Sequence, residues 1–383
     1  MIYFDNSATT RPFKEVLETF QKVNQSFFAN PSSLHGLGSK VDKLIGQARV
    51  QIANLLQVGE EEIYFTSGGT ESNNLAIKGT ALQFSNRGKH IITTSIEHPS
   101  VKQACKQLEA YGFTVTYLPV TREGHVRVED VQNAITDKTI LVSIMHVNNE
   151  IGSIQPIQQI GELLKTYDKI VFHVDAVQSI GKVNLNLMNW GIDLCTLSSH
   201  KFHGLKGTGI LYKRKKLMLS PIISGGEQEN YLRSGTENTG GIVSTAKALR
   251  MHMEMVQTNL HSLYAISNYL KKELSKHEEI INHSPSENGA PHILNFSLRG
   301  IKGEVLVHAF EEYDIYISTT SACSSKQKAP SETLLQMGKT SSLAESAVRI
   351  SLSYENTMEE AERFSKVLTN VIAQFRTVIR RQG

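Results

Sequence analysis

The sequence predicts an α/β protein with a mostly parallel, seven-stranded sheet flanked by helices, followed by a smaller α+β domain. One observation is that short runs rich in apolar and β-branched residues alternate with helical patterns, which is typical of parallel strands joined by crossover helices. The other is a change of pattern after Gly241, where a long helical stretch from about Ile242 to Ile281 leads into a short α+β region. We therefore expect a large domain over residues 15–256 and a small one over 257–383, with the segment 1–14 packing on the small domain.

The strands of the sheet are predicted, in chain order, from "EIYFTS", "HIITTS", "FTVTYLPV", "TILVSIMHV", "KIVFHVDA", "DLCTLSS" and "GTGILYKR". Helices are predicted from "HPSVKQACKQLEAYG" and "IQQIGELLKTYD", which separate some of these strands. A last helix is predicted near the C-terminal end. Thr357 and Glu360 form a capping box there, and apolar residues recur at helical spacing from Phe364 to Phe375.

Composition excludes several functional classes. The chain has 383 residues, 40% of them hydrophobic and 20% charged, which indicates an ordinary folded protein. A net charge of +3 with scattered lysines and arginines argues against direct binding of a nucleic-acid duplex. No secretory signal follows Met1, and no apolar run is long enough to span a bilayer. The thiols Cys105, Cys195 and Cys323 have no short pairing, which favours a reducing cytoplasm over a disulfide framework or a zinc site.

Open parallel sheets bind ligands at the carboxyl ends of their strands, and three loops follow predicted strands there. In "FTSGGTESNNLAIKG", the N–H groups of Gly69 and Thr70 would lie at a positive helix end and form a phosphate cradle. The loop lacks the lysine of a P-loop and is no GxGxxG fingerprint, which argues against ATP or NAD. Taken alone, such a loop is more often a glycine turn with a threonine cap.

The second loop, "VFHVDAVQS", places Asp175 at a strand end and Gln178 three residues later. A carboxylate at that depth needs a partner, and the protonated ring nitrogen of a pyridine cofactor would provide one. Asp175 could equally cap the next helix.

The third loop is "TLSSHKFHGLKGTG". Ser198, Ser199 and His200 offer donors for a phosphate, and Lys201 could form a Schiff base with an aldehyde, although solvated lysines are far commoner than catalytic ones. Together the three loops supply a phosphate cradle, a pyridinium counter-ion and an imine-forming amine. Pyridoxal 5'-phosphate is the cofactor that needs all three.

Nine motifs along the chain carry a resemblance to a known family: "DNSATT", "NPSSLHGLG", "FTSGGTESNNLAIKG", "EHPSV", "VSIMHVNNEIG", "HVDAVQSIGK", "SSHKFHGLKGTG", "LRSGTENT" and "SACSS". In order and spacing they resemble the NifS/IscS-type cysteine desulfurases of the class V aminotransferase family. This resemblance covers essentially the whole chain. It implies the fold type I architecture of pyridoxal phosphate enzymes.

The resemblance also implies roles for residues around the cofactor ring. Lys201 matches the lysine that holds the cofactor covalently and later moves protons. His98 matches the imidazole that stacks on the ring, Asp175 pairs with the ring nitrogen, and Gln178 contacts the ring oxygen.

Further roles concern the phosphate and the substrate. The residues matching phosphate contacts are Gly69, Thr70, Ser198, His200 and Thr236. In this family Thr236 reaches across from the neighbouring subunit, which implies a homodimer. Asn149 and Arg349 match the groups that hold the substrate carboxylate, and Asn149 is also assigned to the cofactor site. The planar fork of an arginine suits a carboxylate because it makes two parallel bonds.

Cys323 lies in "STTSACSSKQKAPSETL", whose composition is typical of an exposed loop. Without the resemblance, it would equally be a surface thiol. With it, Cys323 is expected to attack the sulfur of L-cysteine, leaving L-alanine and a persulfide that passes to an acceptor protein. Cys105, on an amphipathic helix, and Cys195, in a core strand, are expected to be structural.

Three other functions stay open. A small-molecule aminotransferase would share Lys201 and Asp175 but would not need Cys323. A selenocysteine lyase would share nearly every residue. A non-enzymatic sulfur carrier would need the thiol but not the lysine, the aspartate and the phosphate loops.

The sequence departs from the family pattern in two places. Ser353 and Tyr354 stand where relatives usually carry a glycine and an arginine. The chain also stops at "VIRRQG", where housekeeping iron–sulfur members carry a longer tail. We therefore expect a sulfurtransferase that thiolates tRNA to be the leading acceptor and an iron–sulfur scaffold to be second, with any tRNA bound by the partner.

Overall fold

The computed structural model describes residues 1–319 and 330–382. Its strands are β1 Ile2–Tyr3, β2 Ile63–Thr66, β3 His90–Thr94, β4 Thr114–Leu118, β5 Thr139–Met145, β6 Val171–Asp175, β7 Leu194–Ser198, β8 Gly209–Lys213, β9 Ile280–Asn282, β10 Ile293–Leu298, β11 Ile315–Tyr316, β12 Ser318–Thr319 and β13 Ala347–Ser351. Its helices are α1 Lys14–Ser26, α2 Gly36–Leu56, α3 Gly69–Phe84, α4 Pro99–Ala110, α5 Val128–Ala134, α6 Ile157–Leu164, α7 Thr239–Leu274, α8 Gly303–Glu311, α9 Glu332–Gln336, α10 Ser341–Ser346 and α11 Met358–Gln382. Strands β2 to β8 each lie within one of the predicted stretches.

The central sheet has seven strands in the order β2-β8-β7-β6-β5-β3-β4. The strands β4, β3, β5, β6 and β7 pair in parallel, whereas β8 is antiparallel to both of its neighbours. Every residue of β5, β6 and β7 is buried, because helices cover both faces of a parallel sheet. The predicted mostly parallel, seven-stranded sheet is confirmed.

The register of the central strands brings three predicted loops to one edge. Met145 pairs with Asp175 and Asp175 with Thr196, so β5, β6 and β7 end side by side. The strand β2 runs in the same direction as β7, since both are antiparallel to β8, and it ends at Thr66. The loops that carry Asp175 and Lys201 and the glycine loop before α3 therefore share the carboxyl edge of the sheet.

A second, four-stranded sheet has the order β12-β13-β10-β9, and all of its pairs are antiparallel. The N-terminal strand β1 pairs in parallel with β11, beside this sheet. Phe4 packs here against Phe364 of α11, with 5.9 Å between the ring centroids. Phe13, in contrast, packs within the core of the central sheet. The first residues of the chain thus contact both parts of the molecule.

The long helix α7 joins the two parts. Its first half, from Ile242 to Leu249, packs into the core of the central sheet, and its second half, from Leu263 to Leu274, packs with the second sheet. On this basis we propose the division into residues 1–14, 15–256 and 257–383 as an N-terminal segment, a large domain and a small domain.

The predicted end of α7 was wrong, whereas the predicted start of α11 is confirmed. The helix α7 ends at Leu274, and Ile280–Asn282 forms β9 on the edge of β10 instead of continuing the helix. Branched apolar residues such as Ile280 fit a sheet edge as well as a helix, so periodicity could not decide between them. At α11, Thr357 Oγ1 accepts from the Glu360 N–H and the Glu360 carboxylate accepts from the Thr357 N–H, both at 3.2 Å.

Within the described residues, no helix combines the length and hydropathy needed to cross a bilayer.

Candidate active site

Lys201 lies directly after β7, in a short 3₁₀ turn from Ser199 to Lys201. Its Nζ donates hydrogen bonds to the backbone carbonyl oxygens of Ser7 and of Ala8, the latter at 2.7 Å. The sequence pattern had assigned no role to these two residues. The amine is thus held at the carboxyl edge of the central sheet by the first residues of the chain.

Asp175, the last residue of β6, is 6% exposed and both of its carboxylate oxygens accept hydrogen bonds. Oδ1 accepts from the Val177 N–H at 3.0 Å, and Oδ2 accepts from Asn73 Nδ2 at 2.7 Å. These bonds fix the plane of the carboxylate. Asp175 is therefore a fixed, buried carboxylate at the strand end where it was predicted.

Asn73 of α3 is a site residue that the sequence pattern did not single out. It is 1% exposed, and its Nδ2 donates to Ser100 Oγ at 2.8 Å as well as to Asp175. A signal was available, because Asn73 shares a helical face with the buried residues Ile77 and Thr80. A polar side chain on a buried helical face calls for a specific partner.

His98 precedes α4 and caps it. Its Nδ1 accepts from the Ser100 N–H at 3.2 Å and lies 2.8 Å from Ser100 Oγ. Since Ser100 Oγ already accepts from Asn73, its own hydrogen is available for His98 Nδ1. Burial, in the first place, lowers the pKa of His98, with a further lowering by Lys201 that the Asp175 carboxylate opposes. The ring is therefore neutral, with its proton on Nε2, and Asn73 and Ser100 link it to Asp175.

Glu97 is a second buried carboxyl group beside the site, and it too was not predicted. Its carboxyl oxygens accept from the Met145 N–H at 3.0 and 3.1 Å and from Thr94 Oγ1 at 2.8 Å. Burial raises the pKa of Glu97 to about 8, although those hydrogen bonds lower it. Glu97 joins the ends of β3 and β5 and so holds the loop that carries His98.

The glycine loop before α3 has the shape expected of a phosphate cradle. Gly68 has φ of 149°, a conformation that glycine adopts readily, and α3 begins at Gly69. A Cβ on Gly69 would lie 3.0 Å from Val177 Cγ2 and 3.5 Å from Ser198 Cβ, so this turn packs directly against the loops after β6 and β7. Thr70, the next residue, lines a cavity of about 330 Å³ together with His98.

Two predicted phosphate contacts lie at the end of β7 and in the turn that follows it. Ser198 is 3% exposed, and its Oγ is one of the atoms that a Cβ on Gly68 would meet. His200 Nδ1 lies 3.2 Å from Thr9 Oγ1. Burial lowers the pKa of His200 to about 4, and the charge of Lys201 adds to that effect, so a phosphate there would meet a neutral imidazole.

Thr236 lies in a different cavity, of about 190 Å³, which it shares with Thr66 and Ser67 at the start of the glycine loop. The loop that carries it is attached to α3 by an ion pair, with 2.9 Å between Arg233 Nε and Glu71 Oε1. That Thr236 reaches into a neighbouring subunit stays a prediction.

Gln178 is 5% exposed and points toward the N-terminal segment. Its Nε2 donates to the Ser7 carbonyl oxygen at 3.0 Å, the same oxygen that accepts from Lys201. Its Oε1 is buried without a hydrogen-bond partner among the described residues. Gln178 therefore has a buried acceptor atom and contacts the same carbonyl oxygen as Lys201.

Arg349, on β13 of the second sheet, is 3% exposed. Its Nη1 donates to the backbone carbonyl oxygen of Asn149 and its Nη2 to Asp5 Oδ1, both at 2.8 Å. Its Nε is buried and has no partner within the described part of the chain. Arg349 and Asn149 are thus adjacent through the Asn149 backbone, and their shared role at the substrate carboxylate stays a prediction. The contact with Asp5 was not predicted.

Cys323 lies outside the described residues, so its predicted role stays a prediction. Eight residues later Ser331 Oγ donates to Glu150 Oε2 at 2.5 Å, and Thr333 Oγ1 donates to Glu150 Oε1 at 3.0 Å. The start of α9 is therefore fixed to the residue that follows Asn149. Cys105 and Cys195 are buried thiols whose pKa values are raised by burial, which agrees with structural roles.

Comparison with known proteins decides the family. Residues 2–364 match the family described as aminotransferase class-V. The chain belongs to the class V aminotransferases. Its fold is the fold type I of pyridoxal phosphate enzymes, and members of the family depend on that cofactor.

Individual relatives extend over the whole chain. The NifS/IcsS protein homolog of Lactobacillus delbrueckii subsp. bulgaricus is 50% identical over 377 residues, which is 98% of each chain. The cysteine desulfurase IscS of Dictyoglomus turgidum is 41% identical over 378 residues, 98% of this chain and 96% of that one. A solved structure described as a NifS-like protein is 38% identical with a TM-score of 0.91, covering 97% of this chain and 99% of that one. The resemblance recognised in the sequence motifs is confirmed.

Proposed function

We propose that this protein is a pyridoxal phosphate-dependent cysteine desulfurase. It converts L-cysteine to L-alanine and passes the sulfur, as a persulfide on Cys323, to an acceptor protein. The observation that carries the proposal is the convergence of Lys201, Asp175 and Arg349 in a class V aminotransferase chain. The N-terminal segment contacts Lys201 and Arg349 directly.

The described residues fit the cofactor. Asp175 offers a buried carboxylate for the ring nitrogen, and Gln178 Oε1, which has no partner among the described residues, could accept from the ring hydroxyl. The tight turn at Gly69 leaves backbone N–H groups at a helix end for the phosphate. Thr70, Ser198 and His200 would complete the phosphate site. When bound, the cofactor withdraws electrons from the Cα of an amino acid.

The protein groups have separate tasks in this reaction. Lys201 Nζ would hold the cofactor and, once released, move the proton at the substrate Cα, with the Ser7 and Ala8 carbonyl oxygens in reach of its N–H groups. His98, neutral and fixed by Ser100, would lie flat against the ring. Arg349 and Asn149 would hold the substrate carboxylate.

In the sulfur step the thiol of Cys323 would react with substrate held in the cofactor site, where the cofactor would supply the electron sink. The thiolate attacks the sulfur of L-cysteine, so that an S–S bond forms while the Cβ–S bond breaks. The carbon skeleton takes up the proton that the Cys323 thiol gave up, and it leaves as L-alanine. The products, L-alanine and the persulfide on Cys323, balance the substrate and the thiol without an added oxidant.

The cofactor assignment is tested with Lys201→Ala and, as a matched control, Lys206→Ala at an exposed lysine in the same loop. The wild type and Lys206→Ala should be yellow and should keep the cofactor covalently after borohydride reduction. Lys201→Ala should not. Covalent retention in Lys201→Ala would contradict the assignment, and a wild type without visible absorbance in excess cofactor would refute the proposed function.

The sulfur step is tested with Cys323→Ser and with Cys105→Ala as a control. Cys323→Ser should bind the cofactor and change its spectrum with L-cysteine, yet release almost no sulfide with a reductant. Cys105→Ala should release sulfide and alanine in equal amounts. Normal turnover by Cys323→Ser would favour an aminotransferase or a lyase. The same assay with L-selenocysteine distinguishes a selenocysteine lyase.

We also propose that the enzyme is a homodimer in which Thr236 completes the phosphate site of the partner. Thr236 lines a cavity other than the one that Thr70 and His98 share, which supports a role outside its own subunit's cofactor site. Sedimentation gives the oligomeric state. Subunits carrying Lys201→Ala and Thr236→Val, each inactive alone, should regain activity when refolded together, because one site of each mixed dimer is intact. No recovery would place Thr236 in its own subunit's site.

For the acceptor, we propose a tRNA-thiolating sulfurtransferase first and an iron–sulfur scaffold second. The small net charge of +3 supports an enzyme that leaves tRNA binding to its partner. Three cysteines without short pairing support a place in the reducing cytoplasm. L-cysteine labelled with radioactive sulfur should transfer label to the sulfurtransferase in competition with the scaffold. Exclusive labelling of the scaffold would reverse the order.

A further inference from the structure

Asp5 is the group that holds the guanidinium of Arg349. Asp5 Oδ1 accepts from Nη2, and the Asn149 carbonyl oxygen accepts from Nη1 at the other arm of the fork. Nε has no partner among the described residues, although only 3% of the side chain is exposed. A buried, unsatisfied donor is costly, so Nε is in place for an acceptor that arrives with a ligand.

The backbone around Asp5 is itself fixed to β13. The Asn6 N–H donates to the Ser351 carbonyl oxygen at 3.2 Å, and the Ser7 N–H donates to Ser351 Oγ at 2.8 Å. Ser351 lies two residues after Arg349 and therefore faces the same side of the strand. Asn6 Nδ2 adds a bond to the same carbonyl at 3.1 Å. Asp5 and Arg349 are thus set relative to each other by the backbone.

We propose that Asp5 is a positioning residue that orients Arg349 for the α-carboxylate of the substrate. With both arms of the planar fork held, the guanidinium cannot rotate, and its Nε edge is the part left for a ligand. A substrate carboxylate meets an oriented donor instead of having to order a flexible one. This inference rests on the proposed function, which assigns the carboxylate to Arg349.

Asp5 could instead compete with the substrate carboxylate for Arg349. If Asp5 only neutralised Arg349, it would oppose a second carboxylate, and its removal would tighten binding of the substrate. Orientation predicts the reverse for Asp5→Ala, which removes the acceptor. It predicts little change for Asp5→Asn, because the amide oxygen still accepts from Nη2.

The test compares two ligands that differ by one carboxylate, L-alanine and ethylamine, by equilibrium titration of the cofactor-loaded protein's absorbance. Asp5→Ala should raise the Kd for L-alanine roughly ten-fold, as expected for one displaced bond to a charged group, without changing the Kd for ethylamine. Asp5→Asn should bind both like the wild type. Asp314→Ala is the matched control, because Asp314 also tethers the N-terminal strand, through the amino group of Met1, without contacting Arg349.

Each outcome decides the inference. Unchanged or tighter binding of L-alanine by Asp5→Ala would overturn it, as would an equal loss for both ligands or the same loss in Asp314→Ala. A wild type that binds L-alanine no better than ethylamine would instead refute the assignment of Arg349, and the role of Asp5 with it. If Asp5→Ala does not fold, Asp5→Ser, whose hydroxyl is too short to reach Nη2, gives the same comparison.

Discussion

The bond between Asn73 and Asp175 gives the sharpest prediction about cofactor binding. Asn73→Ala removes the donor to Asp175 Oδ2 at 2.7 Å and leaves a carboxylate that is only 6% exposed with one acceptor atom unsatisfied. A hydrogen bond to a charged group contributes about 1.5–3 kcal/mol, which corresponds to about 10- to 150-fold in an equilibrium constant. Part of this loss lowers the stability of the cofactor-free fold, so we expect the Kd for pyridoxal phosphate to rise about ten-fold.

The assay is reconstitution of the cofactor-free protein, followed by absorbance, with urea unfolding of the same samples. Asn74→Ala is the matched control, since Asn74 is the next residue of α3 and, among the described residues, donates to the Thr70 carbonyl oxygen at 2.9 Å and not to Asp175. A double-mutant cycle with Asp175→Asn then tests the route of the effect. If Asn73 acts through Asp175, Asn73→Ala should cost little more affinity in the Asp175→Asn background.

Two results would refute this reasoning. One is an Asn73→Ala protein that binds the cofactor as tightly as Asn74→Ala does. The other is full additivity in the cycle, which would mean that Asn73 supports the site through Ser100 or through packing alone.

Three further predictions concern the rest of the fold. Burial lowers the pKa of His173 to about 3, so between pH 6.5 and 3 the unfolded chain binds the extra proton and stability falls as the pH falls. His173→Gln should reduce that slope, in urea unfolding, by up to about 1.4 kcal/mol per pH unit, and an unchanged slope would show that His173 titrates normally. Glu150→Ala should speed hydrogen exchange in 332–336 and leave exchange in the central sheet unchanged. Thr357→Ala should lower the free energy of unfolding by about 1 kcal/mol through loss of the cap with Glu360, and a change below 0.3 kcal/mol would contradict the capping role.

The sequence predicted the central sheet well because each of its strands carries a strong local signal. Buried parallel strands are short apolar runs, and their loops contain residues such as Asp175 and Lys201 that stand out against them. The end of α7 was missed because the choice between helix and strand at Ile280 depends on the edge of β10, which is not local information.

The contacts that complete the site could not be predicted in the same way. Lys201 is held by carbonyl oxygens of Ser7 and Ala8, and a carbonyl is present in every residue, so it leaves no mark in the sequence. Arg349 and Asp5 are 344 positions apart. Their pairing depends on how β13 and the N-terminal segment meet, which only the tertiary structure shows. Asn73 differs, since its helical position was a usable signal.

The N-terminal segment contacts both the lysine assigned to the cofactor and the arginine assigned to the carboxylate of an α-amino acid. Asp5 contacts the arginine assigned to the carboxylate, and the Ser7 and Ala8 carbonyl oxygens contact the lysine assigned to the cofactor and the substrate Cα. Asp5 and Ala8 are three residues apart, so the chain limits the distance between their Cα atoms to about 11 Å. Because the same segment bonds to the second sheet and to the loop after β7, a shift of one part relative to the other would disturb both sets together. The distance between Lys201 and Arg349 therefore depends on the N-terminal segment that contacts both, and not on the packing of the two domains alone.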